Sequence, residues 1–232
     1  MRFGARTDPG LVRANNQDSY GHRGPLFLVA DGMGGHRAGE VASRIAVEEI
    51  LAAMEGRDPL AELRSGFAAA NEAIRAHALA NPDCYGMGTT VAALLLLGGR
   101  ACVAHIGDSR VYLCRSRTLT LLTRDHSLVE ELIRQGSLSE DEARNHPQRS
   151  VLTRALGTAE TPQVEYTELD LEEGDVFLLC TDGLTAEVTD AEIGAVLAAE
   201  GDPQAKADRL VEMARRGGGS DNITVVVVEH HV

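Results

Sequence analysis

The chain has 232 residues, 44% of them hydrophobic and 25% charged, a balance that excludes disorder and collagen-like repetition. With 22 basic and 35 acidic residues the formal net charge is −13 and no basic stripe stands out, which argues against nucleic acid or an anionic membrane as a partner. A single lysine, Lys206, lies in Gln204-Ala205-Lys206-Ala207 rather than in a G-x-x-x-x-G-K loop, so neither a P-loop nor the strand lysine of a protein kinase has a candidate.

In chain order, Leu26 to Ala30 reads as the first apolar strand and runs into Asp31-Gly32. Val47, Ile50, Leu51 and Met54 then follow a helical period, and Leu60, Leu63, Phe67, Ala70 and Ile74 mark a second amphipathic helix. Thr89 to Leu97 is a strand ending in Gly98-Gly99. Cys102 to Ile106 is another ending in Gly107-Asp108, and Val111 to Cys114 follows at once. These short glycine connectors predict antiparallel hairpins. Residues 125–157 differ: they are polar, carry Arg134, Arg144, Arg149 and Arg154, and predict a helical flap inserted near whatever the sheets hold. Val176 to Cys180 is a strand leading to Asp182-Gly183, and Ile223 to Val228 is a closing β-branched run. Between them, Ala207, Leu210, Val211 and Ala214 repeat the helical period. Ser139-x-x-Glu142 and Thr189-x-x-Glu192 have capping-box spacing and mark helix starts. The order predicts an α+β fold of antiparallel sheets packed face to face with helix pairs outside. No repeat or linker divides the chain, so residues 1–232 are expected to form one domain.

Cys84, Cys102, Cys114 and Cys180 include no C-x-x-C and read as buried free thiols of a reducing compartment rather than a zinc or disulfide framework. The first residues lack a signal-peptide core, and the longest apolar run, Val91 to Leu97, falls far short of the ~20 residues of a membrane span. A cytoplasmic location is expected.

Five aspartates stand at or near strand ends, each followed by a small or turn-forming residue: Asp18-Ser19, Asp31-Gly32, Asp108-Ser109, Asp182-Gly183 and Asp221-Asn222. Taken singly, Asp-Gly after a strand is a turn signal. Five such sites change the weighing, because clustered carboxylates repel unless cations hold them. Oxygen ligands point to magnesium or manganese rather than zinc. A carboxylate bridging two metals, with others terminal, is the usual shape of a two-metal hydrolase. Arg13, five positions before Asp18, has the guanidinium to grip a phosphate. His36, five positions after Asp31, has the chemistry to protonate a leaving alkoxide. Each also admits an ordinary surface or loop role.

These residues resemble the metal-dependent serine/threonine protein phosphatases, the PPM or type 2C family, in its small bacterial form. The resemblance rests on ordered segments across nearly the whole chain: Arg13 to Asp18 (R-x-x-N-x-D), Val29 to His36, Gly86-Met87-Gly88-Thr89-Thr90, His105 to Arg110, Asp125-His126-Ser127, Leu156-Gly157, Thr181-Asp182-Gly183-Leu184 and Ser220 to Thr224. It implies an α-β-β-α sandwich and a reaction in which a hydroxide bridging two Mg²⁺ or Mn²⁺ ions attacks the phosphorus of phosphoserine or phosphothreonine. It further implies Asp31 as the bridging ligand, the Gly32 carbonyl on one metal, and Asp182 and Asp221 on the other. Asp18 would reach the centre through water, and Asp108 would hold a third, weaker metal. Arg13 is implied as the phosphate-binding residue and His36 as the general acid. Met33 stands where some members carry histidine, and Gln17 where many carry glutamate, which removes one negative charge near the second metal. Phosphoproteins, a serine/threonine kinase and its targets are the implied partners of a monomeric enzyme. Two other readings stay open: a phosphoprotein-binding module without turnover, and a hydrolase of small phosphate esters.

Overall fold

The structure is a computed structural model that describes residues 1–34, 38–139, 142–143 and 146–230. In chain order the strands are β1 (Arg2–Asp8), β2 (Asp18–Arg23), β3 (Leu26–Met33), β4 (Gly88–Thr89), β5 (Val91–Leu97), β6 (Arg100–Ile106), β7 (Arg110–Arg115), β8 (Thr118–Leu121), β9 (Glu165–Asp170), β10 (Val176–Cys180) and β11 (Ile223–Glu229). The helices are α1 (Ala38–Ala52), α2 (Pro59–Ala80), α3 (Leu128–Arg134), α4 (Asp182–Thr185), α5 (Asp190–Leu197) and α6 (Pro203–Gly217). One sheet has the order β2-β3-β5-β6-β9, with β4 paired to the end of β3; the other has the order β1-β11-β10-β7-β8. All the pairings are antiparallel.

The period of two along each strand sorts side chains between two environments. In β3, Phe27 and Val29 join an inter-sheet core with Leu94, Val103, Val111, Leu179 and Val226. Leu26, Leu28 and Ala30 point the other way, against Ile50, Leu63, Phe67 and Ile74 of α1 and α2. In β11, Val226 and Val228 face the inter-sheet core while Ile223, Val225 and Val227 pack on Ile193, Leu210 and Val211 of α5 and α6. The central strands are thus apolar on both faces, which is why they read as unbroken apolar runs. Four layers result, as expected from the sequence.

The helix starts have local causes. Asp58 accepts from Ala61 N with Pro59 next, and Asp202 accepts from Gln204 N with Pro203 next. Thr189 and Glu192 complete a capping box at α5, and Ser139 bonds Glu142 reciprocally in the flap segment. Lys206, the sole lysine, is buried; its Nζ donates to Glu229 Oε1 at 2.8 Å and to the Leu197 carbonyl at 3.1 Å, a structural role.

One sequence-based expectation is corrected. Gly98-Gly99 does close a hairpin, between β5 and β6. Gly107-Asp108 does not: β6 and β7 lie in different sheets, so this connector carries the chain from one sheet to the other. Gly107 has φ +102° there, and a Cβ on it would lie 2.5 Å from Thr90 Cγ2, leaving no room for a side chain. The segment 125–157 leaves β8 and returns near its own start: Ser127 bridges to Leu152, and Leu156 bridges to Thr89.

Candidate metal centre

The topology draws the aspartates to one end of the sandwich. Asp18 and Asp31 are cross-strand partners in β2 and β3. Asp108 lies at the crossing between sheets, Asp182 opens α4 directly after β10, and Asp221 stands just before β11. They interact: the Asp31 carboxylate feels the charges of Asp18, Asp182, Asp108 and Asp221. Asp18 Oδ1 and Asp182 Oδ1 are buried with no protein hydrogen-bond partner. A buried carboxylate oxygen left unsatisfied carries a desolvation penalty of about 1–3 kcal/mol or more. Two such oxygens among five carboxylates fit a hard divalent cation as the missing partner.

The electrostatics agree. Burial holds Asp31 well above the usual carboxylate range, and the surrounding aspartates, Asp18 foremost, add to it. Burial raises Asp18 to about 7 against two hydroxyl bonds that pull it down, with Asp182 and Asp221 adding to the rise. Asp108 rises to about 8, from burial first and then Asp182 and Asp125. Asp182 is raised by burial and by Asp221. A carboxylate raised in the folded state binds more protons there than when unfolded. Its stabilising contribution is complete below the unfolded value near 4 and is lost as pH rises through the folded value. Without metal, the melting temperature is therefore expected to fall between pH 5 and pH 8, by about 5 °C or more. Saturating Mn²⁺ is expected to flatten that slope, and a metal-free protein more stable at pH 8 than at pH 5 contradicts the assignment. Calorimetric scans of the stripped protein across that range make the check.

Arg13 reaches this cluster. Its Nη2 contacts Asp221 Oδ2 at 2.7 Å, and Asp221, then Asp31 and Asp182, raise its pKa. The guanidinium is half-exposed, at 54% of its side-chain surface, so it remains available to a ligand from solvent. Arg13→Ala is expected to raise KM and lower kcat/KM for a phosphorylated substrate by about tenfold, and to weaken inhibition by free phosphate in parallel. Unchanged phosphate inhibition returns Arg13 to a surface role. His36 lies outside the described residues.

The glycines after two of the aspartates are not turn residues. Gly32 continues β3 and Gly183 lies within α4, neither at positive φ. Close approach explains them: a Cβ on Gly32 would sit 1.9 Å from the Gly39 carbonyl oxygen, and one on Gly183 would sit 2.0 Å from the Asn222 carbonyl oxygen. Gly32 thereby packs β3 against the first turn of α1, and Gly183 packs the start of α4 against the residue following Asp221. The Gly32 carbonyl faces Gly39 closely enough that a Cβ there would lie 2.4 Å from it.

Sequence reasoning gave no role to the residues that hold the aspartates in place. Thr89 Oγ1 donates to the Asp31 carbonyl at 2.8 Å, Thr90 N donates to the same carbonyl at 2.9 Å, and Asp31 N donates to Thr90 Oγ1 at 3.0 Å. The two threonines of the Gly86 to Thr90 segment thus clamp the Asp31 backbone. Asn222 accepts from Gln17 N and donates to the carbonyls of Pro9 and Asn15, tying the Arg13 loop to Asp221. Arg110 grips Asp125 through two bonds of 2.9 and 2.7 Å, which links β7 to the start of the flap segment.

A second group has metal-ligand composition: His105, His126 and Glu165. Its geometry is that of a hydrogen-bonded anchor instead. The two imidazoles stack at 4.7 Å and 17°, and His105 Nε2 lies 2.8 Å from the Arg124 carbonyl oxygen. His126 Nδ1 accepts from Gly107 N at 3.1 Å, which leaves Nε2 as the protonated nitrogen facing Glu165 Oε1 at 3.2 Å. Burial lowers the pKa of both histidines. With His126 N donating to the Gly107 carbonyl, this anchor fastens the flap segment beside Asp108.

A match to the protein phosphatase 2C family spans residues 12–216. The chain belongs to that family. It is 44% identical over 232 residues to the serine/threonine protein phosphatase PstP of Mycobacterium tuberculosis, covering 99% of this chain and 45% of that protein. The chain therefore spans less than half the length of that relative. It is 39% identical over 236 residues to the serine/threonine phosphatase stp of Listeria monocytogenes, covering 97% and 94% of the two. The crystal structure of the PstP catalytic domain in complex with two manganese ions superposes with a TM-score of 0.92 at 42% identity, covering 100% and 98%. In a protein phosphatase 2C member, an aspartate cluster with orphaned oxygens fits a divalent-metal centre. The thiols, by contrast, are structural: Cys102, Cys114 and Cys180 are buried and Cys84 half-buried.

Proposed function

We propose that the protein is a metal-dependent phosphatase of phosphoserine and phosphothreonine proteins. One observation carries the reading: five carboxylates from both sheets converge with two buried, unpartnered oxygens, and Arg13 stands at their edge. Asp31, Asp182 and Asp221 would hold the central Mg²⁺ or Mn²⁺ ions with the Gly32 carbonyl. Asp18 supports that centre, and Asp108 would bind a third, weaker ion. Cations held there supply a nucleophilic water at neutral pH and offset charge on the phosphate.

The chain's own groups do the rest. Arg13 binds the phosphate oxygens and fixes the ester for in-line displacement. Thr89 and Thr90 hold the Asp31 backbone so that its carboxylate meets the site in one orientation. His36 donates a proton to the departing serine or threonine oxygen. His36→Ala is then expected to slow phosphopeptide turnover far more than p-nitrophenyl phosphate turnover, because only the alkoxide needs protonation. Equal losses on both substrates make His36 structural.

Residues 1–232 are read as one catalytic domain with a flap over 125–157. The pairing of β1 with β11 supports this, since both ends of the chain share one sheet. The proposed partners are phosphoproteins, including a serine/threonine kinase and its targets, met by a monomer in the cytoplasm. Among the described residues no helix is long and apolar enough to cross a membrane. The complete aspartate set favours turnover over a binding-only module. Rates on phosphothreonine peptides compared with rates on sugar phosphates, in Mn²⁺, test the substrate class. Peptide preference supports the proposal, and sugar-phosphate preference favours the small-ester reading.

A further inference from the structure

Asp18 is held by an unusual arrangement of hydroxyls. Its Oδ2 accepts from Thr224 Oγ1 at 2.7 Å and from Thr181 Oγ1 at 2.8 Å, while its Oδ1 is buried and unpartnered. Each hydroxyl proton has its direction set from behind. Thr181 Oγ1 accepts from the Thr224 backbone N–H at 3.0 Å. Thr224 Oγ1 lies 2.8 Å from Thr7 Oγ1, which in turn accepts from Asn16 Nδ2 at 2.7 Å. A carboxylate only accepts, so the Thr224 proton goes to Asp18 and Thr7 donates to Thr224. The relay Asn16 to Thr7 to Thr224 to Asp18 therefore runs one way. Asn16 closes the loop, because its Oδ1 accepts from Asp18 N at 3.1 Å.

Two features separate this from ordinary packing. Thr181 stands at the N-cap of α4, where a threonine hydroxyl usually caps the helix; here it makes no cap bond and serves Asp18 instead. Thr224 shares the inter-sheet face of β11 with Val226 and Val228, and Thr7 is its cross-strand partner. The threonines thus form a polar row where the apolar core of the sheet ends.

We infer that Thr181 and Thr224 are positioning residues that occupy one oxygen of Asp18 and hold the other toward the cation centre, with Thr7 and Asn16 fixing the direction of the bonds. This rests on the reading of the aspartates as a metal centre. Two donors on Oδ2 remove the carboxylate's freedom to rotate and leave a single oxygen to face the ion or its water. Groups that orient a metal ligand from outside commonly change affinity by about 10–100-fold when removed.

The test is Mn²⁺ binding by titration calorimetry into metal-stripped protein, with the metal-free melting temperature of each variant measured alongside. Thr181→Val and Thr224→Val keep side-chain shape and are expected to weaken Mn²⁺ by about tenfold or more. Thr181→Ser and Thr224→Ser keep the hydroxyl and are expected to stay within about twofold of the parent, a rescue that packing alone does not produce. Thr7→Val leaves both bonds to Asp18 in place and is expected to weaken Mn²⁺ by about threefold, and it decides the relay if a valine variant at 181 or 224 does not fold. Parent-like affinity in the folded valine variants, or in Thr7→Val where those do not fold, overturns the inference and leaves the metal centre standing. A parent protein that binds no Mn²⁺ overturns the metal reading itself.

Discussion

Asp31→Asn and Asp182→Asn are each expected to reduce turnover by about a thousandfold or more while the protein stays folded. Asp31 is the carboxylate on which the other four charges converge, and Asp182 carries one of the two buried oxygens without a partner. Removing either charge weakens cation binding, and a metal contributes several kcal/mol of charge stabilisation to such a reaction. Each 1.36 kcal/mol is tenfold in rate, so about 4 kcal/mol gives the expected loss. The fold should respond in the opposite sense. An asparagine relieves repulsion among crowded carboxylates, so the metal-free variants are expected to melt about 3 °C above the parent. Turnover and Mn²⁺ binding measured together decide this, and near-normal rates in either variant refute the roles given to these residues.

Gly183→Ala is expected to be strongly destabilising for so small a substitution. The added methyl would lie 2.0 Å from the Asn222 carbonyl oxygen and 2.9 Å from its carbon. Backbone cannot step aside as a flexible side chain can, so α4 must move away from the loop that carries Asp221. Overpacking of this kind costs about 3 kcal/mol, or about 10 °C in melting temperature for a chain of this size. Because the displaced elements carry Asp182 and Asp221, Mn²⁺ affinity should fall as well. A Gly183→Ala protein with parental melting temperature and parental affinity shows that the two backbones are not held in contact.

How much of this was legible in the sequence depended on burial. The runs read as strands, from Leu26, Thr89, Cys102, Val111, Val176 and Ile223, are the central strands β3, β5, β6, β7, β10 and β11, apolar on both faces. The strands that went unread, β1, β2, β8 and β9, are all sheet edges. Arg2–Asp8 and Glu165–Asp170 carry polar and charged side chains because an edge faces water, so the apolar signal vanishes there. Asp31, Asp108, Asp182 and Asp221 were visible because each follows or precedes a recognisable strand, whereas Asp18 opens the unread β2 and stood out only with the Arg13 to Asp18 segment. The Gly107-Asp108 crossing was misread as a hairpin because a glycine connector looks the same whether the chain turns back or changes sheet. Thr181, Thr224, Thr90 and Asn222 gave no chemical signal of their own, since threonine and asparagine at strand ends are ordinary. Their work is set by partners 19 to 217 positions away in the chain, as in the Thr90–Ser109 and Thr224–Thr7 contacts.

The central claim is that the clustered aspartates act by holding divalent cations at which a phosphoprotein ester is hydrolysed. Turnover of a phosphothreonine peptide by metal-stripped protein, assayed in EDTA and then with Mg²⁺ or Mn²⁺ restored, tests it most directly. No release of phosphate in EDTA, with saturable recovery in Mn²⁺ or Mg²⁺ that Asp31→Asn lacks, is the predicted result. Full turnover in EDTA, or recovery undiminished in Asp31→Asn, would contradict it.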